Sequence, residues 1–292
     1  MDKKTIWESV RPYLMIAPAM AGICMFVMYP IIYLIYLSFF KYNLMNQAKS
    51  KFIGLDNFTQ IFTRADFYKA LTNTLLYSVG VVILTMILSL LIAIWLSKRS
   101  RFNAIIQAGL FTPHIVSIVS ISLVWLWLME PNHGLLNFLL KSLGLPTSQW
   151  LQSSNTALIS VIIVSVWQGI GYYTLIIVAA LQSISPAIYE AAALDNASRF
   201  KIFYKITLPL ISPQLFFILI IMTIGSFKVF DTVQVMTGGG PNDATSTIVY
   251  YIFKYRTTNI GYSAATGVVL MAIIGLLTFV YFRVLSKRVH YQ

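Results

Sequence analysis

Leu71-Thr-Asn-Thr-Leu-Leu-Tyr-Ser-Val-Gly-Val-Val-Ile-Leu-Thr-Met-Ile-Leu-Ser-Leu-Leu-Ile-Ala-Ile-Trp-Leu-Ser97 is a run of helix length without one charged side chain. A bilayer core takes ~20 apolar residues as a helix, or about 10 as a tilted strand, and only structures that satisfy every backbone group internally can span it. Working outward, five more runs of this kind stand at about 13–40, 104–129, 156–183, 213–236 and 263–285. All are helix length, so the sequence predicts an all-α membrane protein with six transmembrane helices. The first run contains Pro18 and Pro30 and is long enough to tilt or kink.

Composition agrees. Hydrophobic residues make up 58% of the chain and charged ones 10%, against about 25% in an ordinary soluble domain. Such a chain cannot cover its own surface with polar groups. The net charge of +12 raises nucleic acid as a partner. Its placement excludes that reading, because the cations sit in short clusters at the ends of apolar runs, where they orient spans in a membrane. Cys24 is the single cysteine, so there is no intramolecular disulfide and no cysteine-based metal site. Lys3 and Lys4 ahead of an apolar stretch resemble a signal sequence, but the stretch exceeds a typical h-region and is read as a retained first span.

Six spans put both termini on one side. That side's loops carry Lys3, Lys4, Arg11, Lys98, Arg99, Arg101, Arg199, Lys201, Lys205, Arg283, Lys287 and Arg288. The other loops carry Lys41, Lys49, Lys51, Arg64, Lys69, Lys141, Lys254 and Arg256, spread over longer segments. By the positive-inside rule both termini are cytoplasmic. The outer loops, 41–70, 130–155 with Trp150, and 237–262, are too short to be domains of their own. No internal repeat or linker is visible, which makes 1–292 one membrane domain.

Between the fourth and fifth runs lies Ser185-Pro-Ala-Ile-Tyr-Glu-Ala-Ala-Ala-Leu-Asp-Asn-Ala-Ser-Arg-Phe-Lys-Ile-Phe-Tyr-Lys-Ile-Thr-Leu-Pro209. Ser185 with Pro186 starts a helix as N-cap and first-turn proline. Asn196 is suited to the left-handed turn that ends it. A second helix follows, with Phe200, Phe203 and Tyr204 on one stripe and Lys201 and Lys205 four apart on another. Leu208-Pro209 is expected to stop it and Ser212-Pro213 to start the next span in the same cap-plus-proline manner. Physical reasoning alone leaves two readings of this knuckle, a docking element or a structured loop on the membrane surface.

The spacing of Glu190-Ala191-Ala192, then residue 196, then Ile206, Leu208 and Pro209 resembles the EAA loop of inner-membrane subunits of binding-protein-dependent ABC importers. Asn196 departs from the family's usual glycine, a change its left-handed preference makes tolerable. Phe52-Ile-Gly-Leu-Asp-Asn-Phe58, Asn73-Thr74, Phe230-Asp231 and Thr237-Gly-Gly-Gly-Pro241 look like the carbohydrate-uptake branch, near the maltose and glycerol-3-phosphate permeases. The resemblance implies an ABC importer type I transmembrane domain in a bacterial or archaeal plasma membrane. It implies that residues 185–209, with Glu190, Ala191, Ala192, Asp195, Asn196, Ile206, Leu208 and Pro209, form a coupling helix seated in a cytoplasmic ATPase. The implied partners are a second permease subunit in a heterodimer, two ATP-binding subunits, an external solute-binding protein, a sugar or related polyol and membrane lipid. No G-x-x-x-x-G-K-[ST] sequence occurs, so no cofactor is expected in this chain, and ATP and Mg belong to the partner ATPase.

Inside the spans, Lys228 and Asp231 lie three apart and could pair on one helix face or point into a cavity. A pyranose has an apolar face and a polar rim, so Trp167, Gln168, Tyr172, Tyr173, Phe227, Phe230 and Asp231 are candidates for a substrate path, with Trp125 and Trp127 of similar character. Each is equally a packing or interface residue. His114, His133 and His290 lack companions at metal-ligand spacing. The alternatives are an ion-coupled secondary carrier, which would need intramembrane carboxylates that this chain scarcely offers, and a membrane-embedded enzyme or scaffold, for which no catalytic constellation is found.

Overall fold

The computed structural model describes residues 6–43 and 50–284. Lys3, Lys4, Lys49, Lys287 and Arg288 of the charge count, and His290, lie outside the described residues. Four helices, Val10–Ser38, Ala65–Leu96, Ala157–Ser183 and Ile260–Arg283, are long and apolar enough to cross a membrane. Two bent pairs, Arg101–Ile115 with Ile118–Leu128 and Arg199–Leu210 with Ser212–Phe227, pass the same test when each pair is taken together. The described chain is therefore an all-helical membrane protein with four to six candidate spans. Its one departure is a two-residue antiparallel pair, β1 (Phe40–Lys41) with β2 (Lys51–Phe52).

The chain forms two compact units, one of Met1–Arg64 with Ile252–Met271 and one of Ala65–Tyr251 with Ala272–Gln292. In the first, α1 (Ile6–Ile23) passes through a π turn at Cys24–Met28 into α2 (Tyr29–Ser38). Pro30 follows that turn. Its ring cannot accept the usual geometry of the preceding turn, and a widened π turn is one way to absorb the misfit. Tyr13 and Phe26 are 72% and 74% exposed, an apolar surface that suits lipid or another apolar partner and not water.

The segment resembling a carbohydrate-permease loop, 52–58, has a structural task here. Gly54 supplies a turn at φ +59, and α3 (Asp56–Thr63) then carries Asn57 beneath the strand pair. The buried Asn57 amide donates to the carbonyls of Ser38 (2.8 Å) and Phe40 (3.1 Å). Gly261, in the first turn of α15 (Ile260–Val284), lies so close that a Cβ would stand 1.8 Å from the Phe40 carbonyl oxygen. Arg64 donates to the Tyr255 hydroxyl (2.7 Å) and sits 5.1 Å and 5.6 Å from the Tyr255 and Tyr262 ring centres.

The second unit is built on α4 (Ala65–Leu96), α8 (Ala157–Ser183) and α12 (Ser212–Phe227), whose core holds Leu96, Ile177, Val178, Ile218 and Met222. Lipid gives helices no hydrophobic reason to associate, so close packing of small residues takes over. Ser89 of α4 donates to the Ile170 carbonyl (3.0 Å). At Gly171 a Cβ would stand 1.8 Å from the carbonyl oxygen of Leu110 in α5 (Arg101–Ile115).

The third apolar run, expected as one span at 104–129, is broken. Helix α5 ends at Ile115, Val116 is extended, and α6 (Ile118–Leu128) leaves at 97°. Pro113 in the last turn of α5 has no N–H to continue the ladder, and apolarity fixes a preference for lipid without fixing the path through it. The fifth run likewise stops short of 236, because α12 ends at Phe227 and a separate α13 (Asp231–Met236) follows.

Candidate functional site

Two places in the second unit combine geometry and chemistry. The first is residues 185–209. Ser185 occupies the N-cap position with extended backbone and Pro186 opens α9 (Pro186–Leu194), although the serine side chain makes no capping bond. The far end is tied as the sequence implies: Asn196 is left-handed at φ +48. Its N–H donates to the Ala193 carbonyl and the Ala197 N–H to the Ala192 carbonyl, both at 3.0 Å. This is a Schellman arrangement. Ser198 then caps α10 (Arg199–Ile202), its hydroxyl accepting from the Lys201 N–H at 3.3 Å.

Pro209 does not stop the second helix. A π turn at Phe203–Thr207 runs into α11 (Leu208–Leu210), so the proline is carried inside a widened helix and the break falls at Ile211. Ile211, not Ser212, is the cap position of α12. The knuckle and span consequently join at a 64° bend.

Ala192 is the buried residue of α9, while Glu190, Ala191, Asp195 and Asn196 are exposed. The Tyr189 hydroxyl lies 3.3 Å from that of Thr207 and links α9 to the π turn. Ile206, Leu208 and Pro209 are half-buried. Leu194 is 85% and Phe200 71% exposed, an apolar tip that nothing in the described chain covers. Glu190 makes no ion pair with Arg199 or Lys201 among the described residues, so a brace across the loop is not formed.

The second place is a cleft of about 270 Å³ reached by α4, α5, α6, α8, α12 and α13. Of the sequence candidates, Gln168, Tyr173, Phe230 and Asp231 line it. Trp167 faces elsewhere, packed edge-on to Trp125 at 5.4 Å. Tyr172 stacks on His114 at 4.4 Å, and Phe227 is buried in α12 away from the lining. Lys228 and Asp231 both line the cleft without pairing, because α12 ends between them and the helical spacing that would bring them together is lost.

Sequence reading missed Tyr77, Thr85, Ser165 and Thr232 in this lining. The Tyr77 hydroxyl donates to Ser165 Oγ (2.8 Å), and Ser165 donates in turn to the Val161 carbonyl (2.9 Å). Thr85 Oγ1 is buried without a hydrogen-bond partner. A serine or threonine in an apolar run reads as a tolerated residue that bonds its own helix, and no periodicity marks the ones that face a cleft.

Asn73-Thr74 and the 237–241 stretch prove to be one piece of structure. Asn73 donates to the carbonyls of Asp243 (2.9 Å) and Ser246 (3.0 Å), while Thr74 accepts from the Ile248 N–H (2.9 Å). Gly238 and Gly239 are left-handed in the loop so held. Among the described residues no three His, Cys, Asp or Glu side chains gather as a metal site requires.

Apolar spans around a cleft with polar lining, and a helical knuckle with exposed apolar residues, define an all-helical polytopic membrane protein. Residues 89–291 match the family described as "Binding-protein-dependent transport system inner membrane component". The chain is 34% identical to the probable ABC transporter permease protein YurN of Bacillus subtilis, over 91% of this chain and 92% of that one. It is 33% identical to the sn-glycerol-3-phosphate transport system permease protein UgpA of Brucella abortus, over the whole of both. In fold it is similar to a subunit in the crystal structure of a bacterial alginate ABC transporter in complex with an alginate pentasaccharide-bound periplasmic protein, with TM-score 0.80 and 24% identity over 96% of this chain and 98% of that one. The chain belongs to the binding-protein-dependent inner-membrane permease family. It is the permease subunit of an ABC importer, a multi-pass protein of the inner membrane, and ATP hydrolysis falls to a separate ATPase subunit. A secondary carrier or membrane-embedded enzyme is thereby set aside.

Proposed function

We propose that this permease forms half of the translocation path of a sugar importer and that the solute passes along the cleft between α4, α8 and α13. One observation carries this reading: hydroxyls of Tyr77, Ser165 and Thr232, the Gln168 amide and the Tyr173 ring line a single cleft in an otherwise apolar unit. A polyol needs that mixture, with ring faces for its C–H surface and donors and acceptors for its rim. The names of the relatives, permeases of glycerol-3-phosphate and alginate systems, support a carbohydrate or polyol-like cargo.

On this reading the chain crosses the membrane six times with both termini cytoplasmic. A second permease completes the path, two ATPase subunits hold ATP and Mg, and an external binding protein delivers the solute. Residues 185–209 transmit ATPase closure to α8 and α12, between which they lie in sequence. Glu190 and the Leu194 and Phe200 tip face the ATPase, and Ala192 keeps α9 close to its own unit. The test is uptake into vesicles holding the assembled transporter, with ATP inside and labelled sugars, polyols and glycerol phosphates presented with the binding protein outside. Uptake that survives collapse of ion gradients and needs ATP supports the proposal. Uptake of none of these solute classes under conditions of robust ATP hydrolysis sinks the sugar assignment.

A further inference from the structure

At the knuckle end of the second unit lies a second cavity, of about 540 Å³, that the transport reading does not use. Its walls are mostly apolar, with Ile94 from α4, Leu181 from α8, and Ile202 and Phe203 from the knuckle, interrupted by Ser97 and by the paired hydroxyls of Tyr189 and Thr207. Two cations, Lys98 and Arg199, stand among the lining residues, and both are exposed. Among the described residues neither has an acidic partner. Trp95, one turn from Lys98, is 65% exposed, and tryptophan is enriched where spans meet the headgroup layer.

We infer that this cavity binds an anionic glycerophospholipid of the inner leaflet, its phosphate held by Lys98 and Arg199 and an acyl chain laid against Ile94, Leu181, Ile202 and Phe203. Charge complementarity selects the occupant. A zwitterionic lipid offers the cations a phosphate already compensated by its own ammonium, and a soluble phosphate leaves the apolar wall wet. The site spans elements far apart in sequence, the end of α4 and the knuckle; Tyr189 with Thr207 (3.3 Å) holds the knuckle to itself, and Gln182 of α8 donates to the Ser97 carbonyl (3.1 Å) just past α4. A lipid there would brace the knuckle against the bundle. The inner-leaflet location rests on the orientation proposed above; the binding chemistry does not.

The test uses the full chain within its assembled transporter, in phosphatidylcholine vesicles carrying a trace of photoactivatable phosphatidylglycerol or photoactivatable phosphatidylcholine. Crosslinks mapped to 94–98 and 199–207 should form with the phosphatidylglycerol probe. Lys98→Gln with Arg199→Gln should lower them roughly tenfold or more, since each basic group near an anionic surface contributes on the order of a factor of five. Lys201→Gln with Lys205→Gln, on the same element but outside the cavity, should leave them unchanged. Equal labelling by both probes, or full labelling of the Lys98 and Arg199 double variant, would overturn the inference. So would loss of the crosslink to inorganic phosphate in the buffer, which would assign the cations to a free anion. Ser100→Cys in a chain with Cys24→Ser, reacting in intact cells with an impermeant reagent added outside, would refute the orientation and leave the lipid result standing.

Discussion

The knuckle and the cleft are made in opposite ways. The knuckle is written in 25 consecutive residues, and local bonds set its shape: a proline at one end, a Schellman turn at Asn196, a serine cap at Ser198. The cleft gathers residues scattered over six helices and owes its shape to where α5 and α12 break. A surface built locally can be presented to a partner as a rigid piece. A lining built from helix ends changes whenever those helices shift, as the proposed translocation path would require.

The largest effect should come from attacking the knuckle, at its exposed face or at the buried side of α9. Glu190→Lys, or Ala192→Trp at the buried alanine, is expected to bring uptake to background and release the ATPase on purification, while the external protein still binds its solute. A reversed interfacial charge costs ~2–5 kcal/mol and an overpacked site ~1–3 kcal/mol, either of which outweighs a surface ion pair. Retained uptake with both substitutions would erase the contrast, leaving the knuckle a connector.

A second break goes to the cleft's frame. Gly171→Leu must push α5 from α8, where even a Cβ has no room. It should lower the thermal unfolding midpoint of the detergent-solubilised transporter, with a cost of ~1–3 kcal/mol. An unchanged midpoint would show that α5 is free to move at no cost.

Tyr173→Ala sharpens the comparison from the other side. Removal of one ring from the cleft should raise the solute concentration needed for half-maximal uptake severalfold, on the order of 1 kcal/mol. ATPase co-purification should be untouched, and a loss of ATPase would mean that the two regions are not separable.

The smallest effect belongs to the turn. Asn196 is left-handed, so Asn196→Gly should be nearly silent, and Asn196→Val should cost ~1–2 kcal/mol and lower coupling without removing the ATPase. If both substitutions behave alike in uptake assays, backbone conformation at 196 is not what shapes the knuckle.

The same contrast explains what the sequence could disclose. Ser185-Pro186 and Asn196 act on their neighbours, so their chemistry is legible in order along the chain. Tyr77, Thr85 and Ser165 are spread over two spans, and what unites them is a packing angle that no stretch of sequence encodes. Lys228 and Asp231 show the limit sharply: three apart, they pair on an unbroken helix, and the break that separates them was not visible in residues 213–236. Pro209 shows it again, since a π turn lets a helix carry a proline that an α-helix would reject. Loops held by buried asparagines were equally hidden. Asn57, Asn73 and Asn137 are each buried and tie down carbonyls of their own unit, a role that no local pattern announces.

Leu194, 85% exposed at the tip of α9, offers the most direct measurement. With Cys24→Ser in place, Leu194→Cys in the assembled transporter is treated in membranes with a short bifunctional thiol reagent, alongside Phe138→Cys in the 130–155 loop. The expected result is a crosslink from residue 194 to the ATPase subunit and none from residue 138. A cysteine at 194 that joins no ATPase and reacts with an impermeant reagent from outside would contradict both the orientation of the chain and the coupling role of the knuckle.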